Sequence, residues 1–274
     1  VENYVAKIGE KLKEELPILS KFTIPAILSG AMVVPFKWLT EALLVNQPEG
    51  YSEMGLFAAI VLFQTLLYMV ANTLNAPLIT FMAKKGDSLK MDKISLIVPW
   101  FIGVFGALPF ICFPELFGLV FGNEYLGDAN FFNTYLVVLL FTIVMLYKQG
   151  ISRIMILNDL MWFSFLSNLI WGLSLIISFY FLSYLGAVGL ACSYFIAYSI
   201  NVIVVLPLYL KRKIIPKFLV LSPYAIAIWL TIFAVAFICL YFPLGLFAKT
   251  GLVLTSGIIF ILLFYKLSNF NKNV

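Results

Sequence analysis

The stretch LMWFSFLSNLIWGLSLIISFYFLSYLGAVGLACSYFIAYSINVIVVLPLYL, residues 160–210, contains no charged side chain and decides the class of fold. About twenty apolar residues cross a bilayer's hydrocarbon core as helix, so this run is too long for one crossing. Its break is SYLGAVG at 183–189, where glycines permit a tight turn, and the run reads as two spans folded back on each other. Further uncharged runs occupy 54–83, 94–114, 129–147 and 218–248. Hydrophobic residues make up 63% of the 274, charged residues 11%, and mean hydropathy is +1.04. Soluble domains are nearer half apolar and a quarter charged, so the composition belongs in a membrane. The expected fold is an all-α polytopic bundle of about eight helices, near 22–46, 55–83, 93–113, 130–157, 160–183, 187–210, 220–242 and 248–266. A transmembrane barrel would need alternating ten-residue segments, and these runs are apolar on every face.

The basic residues orient the spans. Sixteen of the eighteen Lys and Arg residues fall in every second gap: Lys7/Lys11/Lys13/Lys21, Lys84/Lys85/Lys90/Lys93, Lys148/Arg153, Lys211/Arg212/Lys213/Lys217 and Lys266/Lys272. The gaps between hold only Lys249. This alternation predicts both termini on the cytoplasmic side of a multi-pass protein. The net charge of +5 is therefore a topology signal, and no nucleic-acid partner is expected. Val5, Ile8, Leu12 and Leu16 recur at helical spacing, so 1–20 reads as an amphipathic surface helix leading into the first span. The chain opens on Val inside that pattern, as a fragment of a longer protein would.

Three cysteines, Cys112, Cys192 and Cys239, sit within or beside apolar spans and give neither a disulfide framework nor a metal motif. Without histidine, zinc-protease motifs and His-based acid–base catalysis are excluded. No cofactor or metal is expected.

Polar groups inside spans are costly, so their placement points to a pathway. Lys37 lies about fifteen residues into the first span, roughly 22 Å from the cytoplasmic face. Facing lipid there would cost about 3 kcal/mol or more. It either pairs with Glu41 one turn on or faces an aqueous cavity where it meets an anion. Glu41 is correspondingly that partner or an ion-coupling site. On the second span Gln64, Tyr68, Asn72 and Asn75 fall within an arc of about 80°. On the fourth, Tyr135, Thr142, Gln149 and Arg153 share a face, with Lys148 pointing away toward the headgroups. On the fifth, Ser164, Ser167, Asn168, Trp171, Ser174 and Ser178 lie within about 120°, a stripe that also suits close helix packing. Lys37 and Arg153 are the two cations that the topology signal absorbs least.

Ordered along the chain, IPAILSG (24–30), WLTEALLV (38–45), GYSEMGLFAA (50–59) with Gln64, FGNEY (121–125) and GAVG (186–189) resemble the motifs of polysaccharide flippases of the O-antigen and capsule type. These belong to the multidrug/oligosaccharidyl-lipid/polysaccharide exporter superfamily, and the likeness covers about residues 17–210. It implies that 21–212 is one six-helix lobe, the second of a two-lobe flippase, followed by two additional helices in 213–274. It also implies a bacterial inner-membrane transporter, not an enzyme, that moves polyprenyl-diphosphate-linked oligosaccharide to the outer leaflet alongside polysaccharide assembly proteins. On that reading Arg153 takes phosphate as a planar fork and Lys37 as a point charge, while Gln64, Asn72, Asn75, Gln149 and Asn168 serve sugar hydroxyls. The alternatives are a MATE-like cation-coupled exporter, which would want intramembrane carboxylates, a membrane-embedded polymerase or glycosyltransferase, and a non-transporting assembly subunit.

Overall fold

Uncharged runs of this length satisfy their backbone polar groups in lipid only by forming helix, and helix is what they form. The computed structural model describes residues 15–17, 19–83, 88–122, 129–158, 160–212 and 215–270, and every regular element among them is helical. A π-helical segment, Leu19–Thr23, leads into α1 (Ile24–Ala31) and α2 (Val33–Val45). Then come α3 (Gly50–Thr73), α4 (Asn75–Ala83), α5 (Ser88–Cys112), α6 (Glu115–Phe121) and α7 (Ala129–Leu157). After these follow α8 (Met161–Leu182), α9 (Gly186–Lys211), α10 (Lys217–Leu221), α11 (Pro223–Tyr241) and α12 (Leu246–Asn269). Among the described residues seven helical stretches are long and apolar enough to span a membrane. One of them, Met161–Lys211, is the 51-residue run containing α8 and α9, and it doubles back. The proof is local: Asn201 Nδ2 donates to the Ser167 carbonyl, a pairing symmetric about the glycine turn. The chain is a multi-pass helical membrane protein, and its described residues make eight passes of the backbone.

Two expected helices are interrupted, for one reason. Pro35 has no N–H for the Ala31 carbonyl, and the first span breaks at Met32; Pro77 has none for the Thr73 carbonyl, and the second breaks at Leu74. The second span also begins at Gly50, earlier than expected, and the gap expected at 115–128 contains α6. Residues 1–14, Lys84, Lys85, Lys213, Lys272 and the Asn123–Tyr125 part of the FGNEY motif lie outside the described residues.

Long-range contacts confirm the up-and-down order because each joins ends of one kind. At the basic end Lys93 Nζ donates to the carbonyls of Ser268 and Phe270, at 3.0 and 3.3 Å, and Trp162 Nε1 donates to the Ser20 carbonyl. At the far end Glu53 Oε2 accepts the Ala187 N–H at 2.7 Å, and Lys249, the lone cation of those gaps, pairs with Glu115. Helix α7 is the axis of the bundle, packed on α3, α5 and α9; α8 carries α1 and α2, and the α11–α12 hairpin docks on α5. Trp100 of α5 anchors that hairpin between Trp229 and Phe264, with ring centroids 5.3 and 5.2 Å away.

Glu53 thus caps α9 from another helix. Gly186, at φ +59, leaves room for it: a Cβ there would lie 2.6 Å from the carboxylate carbon. Glu53→Ala strands a helix N-terminal donor, at a cost of about 1 kcal/mol, whereas Glu53→Gln keeps the acceptor. Thermal unfolding of the two variants in detergent is expected to show the larger drop for Ala.

Candidate functional site

The break at Leu74 is ringed by four of the polar residues read from sequence. Asn75 Nδ2 donates to Asn72 Oδ1 at 2.8 Å, across the interruption. Gln149 Nε2 donates to the same oxygen at 3.4 Å, and Arg153 Nε donates to Asn75 Oδ1. Gln149 and Arg153 are one turn apart on α7, so this chain of amides and guanidinium ties the α3–α4 joint to the central helix. Arg153 also donates through Nη1 to the Ser95 carbonyl at 3.1 Å, while Ser95 Oγ donates to the Gly150 carbonyl, also at 3.1 Å. The α5–α7 approach that permits this depends on Gly150, where a Cβ would lie 2.8 Å from Leu96 Cα.

Arg153 is 1% exposed, yet no carboxylate among the described residues meets it. Its Nη2 and the neighbouring Gln149 Oε1 are buried without a hydrogen-bond partner among the described residues. A buried cation held only by neutral acceptors retains most of its desolvation penalty. Such a site has strong electrostatic demand for an anion.

These groups line a cavity of about 600 Å³ between α2, α3, α4, α7, α8 and α9. Of the eight candidates, Lys37, Gln64, Asn75, Gln149, Arg153 and Asn168 line it; Asn72 is attached behind the wall through Asn75 and Gln149. Glu41 is not among the lining residues, and no other Asp or Glu among the described residues is. No ion pair joins Lys37 to Glu41 among the described residues, and Lys37 lines the cavity. Trp171, Tyr194 and Tyr198 form an aromatic wall, with Trp171 5.5 Å from Tyr198 between ring centroids.

Two expectations are corrected. Lys148 does not point away to the headgroups: it lines the cavity, half-buried, with no hydrogen bond or ion pair to another described residue. Tyr135 and Thr142 lie off the cavity, Tyr135 buried against Phe117 and Phe131 and Thr142 donating to its own helix at Val138. Two serines of the α8 stripe serve packing, as that stripe suits, Ser164 against Ser29 of α1 and Ser167 against Asn201 of α9. Asn168 does both: its Nδ2 donates to the carbonyl and Oγ of Ser29, at 2.9 Å each, while its side chain lines the cavity.

What the geometry defines is a multi-pass helical bundle with a half-open cavity whose wall, among the described residues, carries three basic side chains and no acid. No protein-family model, curated protein or solved structure matches the chain.

Proposed function

We propose that this protein is a transporter that carries a lipid-linked oligosaccharide, joined to a polyprenol by diphosphate, from the inner to the outer leaflet. The observation that carries the reading is the cavity wall: Lys37, Lys148 and Arg153 line one space of about 600 Å³ that no carboxylate among the described residues lines. Diphosphate is the component of such a cargo that needs cations in a low-dielectric setting, and a guanidinium presents it with parallel donors. Amides at Gln64, Gln149 and Asn168 suit sugar hydroxyls, and the prenyl tail stays in lipid. The basic end then faces the cytoplasm of a bacterial inner membrane. A cation-coupled exporter of cationic drugs is disfavoured by the same wall, which repels its cargo. A polymerase or glycosyltransferase is disfavoured because no lining carboxylate is available as acid or base.

Lys37→Ala and Lys148→Ala each remove a half-buried point charge and are expected to reduce export about tenfold, with protein level unchanged. Surface polysaccharide of cells that depend on this protein is the measurement. Normal export in both variants would remove the cavity from the route.

A further inference from the structure

Read along the chain, the cysteines have nothing to do with one another. Folding changes that for two of them. Cys112 is the last residue of α5 and Cys239 lies two residues before the end of α11, and their sulfurs are 3.7 Å apart, both as free thiols. Cys112 is buried and Cys239 partly accessible, so an incoming reagent meets Cys239 first. Both sit at the far end of the bundle, beside the Lys249–Glu115 pair, opposite the basic end. Cys192 is on α9 and has no such neighbour.

We propose that Cys112 and Cys239 form a disulfide in the membrane, fastening the α11–α12 hairpin to α5. The proposal rests on the sidedness given above, which puts this end of the bundle in an oxidising compartment, where disulfides persist. The chemistry is exchange with an external disulfide, that of a thiol oxidase or a small-molecule disulfide. The Cys239 thiolate attacks one sulfur of that disulfide, making a mixed disulfide and expelling one thiolate. The Cys112 thiolate then attacks the Cys239 sulfur and expels the second. Two thiols of the chain lose their protons and are oxidised together, and the external disulfide is reduced to two thiols that take those protons up. Little rearrangement is needed, because the sulfurs are already in contact and each Cys lies within the last turn of its helix.

The bond completes a set of attachments along α5. Lys93 holds the carbonyls at the C-terminus of α12 at the basic end, and Trp100 is clasped between Trp229 and Phe264. At the far end, contact between α5 and α11 includes the two thiols. Closing them would pin both ends of the docked hairpin to the same helix.

The test uses the whole chain carrying Cys192→Ser, expressed in cells, acid-quenched and denatured, then alkylated with a maleimide before or after reduction. The expected result is no alkylation without reductant and two adducts after it, the unreduced chain lighter by two hydrogen atoms. Cys112→Ser and Cys239→Ser should each alkylate fully without reductant. Two adducts on the unreduced chain would overturn the proposal. A reporter fused to the C-terminus reads orientation separately. Two adducts with that terminus cytoplasmic overturn the disulfide alone; two adducts with it outside overturn the sidedness as well.

Discussion

Replacing Arg153 by Met is expected to abolish binding of a diphosphate-linked lipid, by about a hundredfold or more, while leaving the fold about as stable as before. The two effects have different origins. Truncating one side of a buried, hydrogen-bonded charge contact costs about 2–5 kcal/mol of binding. The resting protein, however, holds this guanidinium with no carboxylate or Nη2 partner among the described residues. A neutral side chain of similar volume removes that desolvation penalty, which offsets the roughly 1–3 kcal/mol for each acceptor, Asn75 Oδ1 and the Ser95 carbonyl, left without its donor. The measurement pairs lipid binding in nanodiscs with thermal unfolding of the same samples. A variant that binds normally but melts much earlier would assign Arg153 to packing, through Ser95 and Asn75, rather than to the cargo.

Gly150→Val is expected to have the largest effect on stability, lowering the melting temperature by on the order of 10 °C. A side chain at this position runs into the backbone of α5 at Ser95 and Leu96, not into a flexible side-chain tip that could swing aside. Separating α5 from α7 to make room would break the Ser95–Gly150 bond and displace the carbonyl that receives Arg153 Nη1. Overpacking alone typically costs about 1–3 kcal/mol, and the lost hydrogen bonds add to it. Gly251→Ala is the control: nothing lies within 4 Å of a Cβ at that position, and its melting should match the parent.

The bundle was readable from the sequence because lipid leaves the backbone few choices: uncharged runs must be helical, and the charge alternation counts them. Helix interruptions were less legible. Pro35 and Pro77 break their helices, but Pro99 and Pro109 sit inside an unbroken α5, so proline alone does not say which ladder gives way. Polar stripes located the cavity because intramembrane amides need partners, and Gln149 with Arg153 marked the right side of α7. The cavity-facing side of α7 is wider than that polar stripe. Cavity-facing residues on α7 run through Phe141, Met145, Lys148, Gln149, Ser152, Arg153 and Ile156, an arc of roughly 140° that mixes apolar and polar side chains. Lys148 sits at the edge of that arc and was assigned to the headgroups, since a Lys near a helix end ordinarily snorkels outward. Tyr135 was misassigned for the converse reason: aromatic neighbours hold its ring in the core whatever its hydroxyl would favour. The meeting of Cys112 with Cys239 is a property of how α11 docks on α5, and no spacing along the chain encodes it.

The interruption at Leu74 has a mechanical consequence. An unbroken helix transmits twist along its length as a stiff rod, whereas a missing rung makes a universal joint. Here the joint is spanned by a single side-chain strut, Asn72 to Asn75, and both of its feet are braced against α7 through Gln149 and Arg153. Swivelling α4 about that joint must uncouple the strut and release the guanidinium from Asn75 in the same movement. The shape of the second membrane span and the hydrogen bonding of Arg153 on α7, the most deeply buried cation among the described residues, are therefore one degree of freedom.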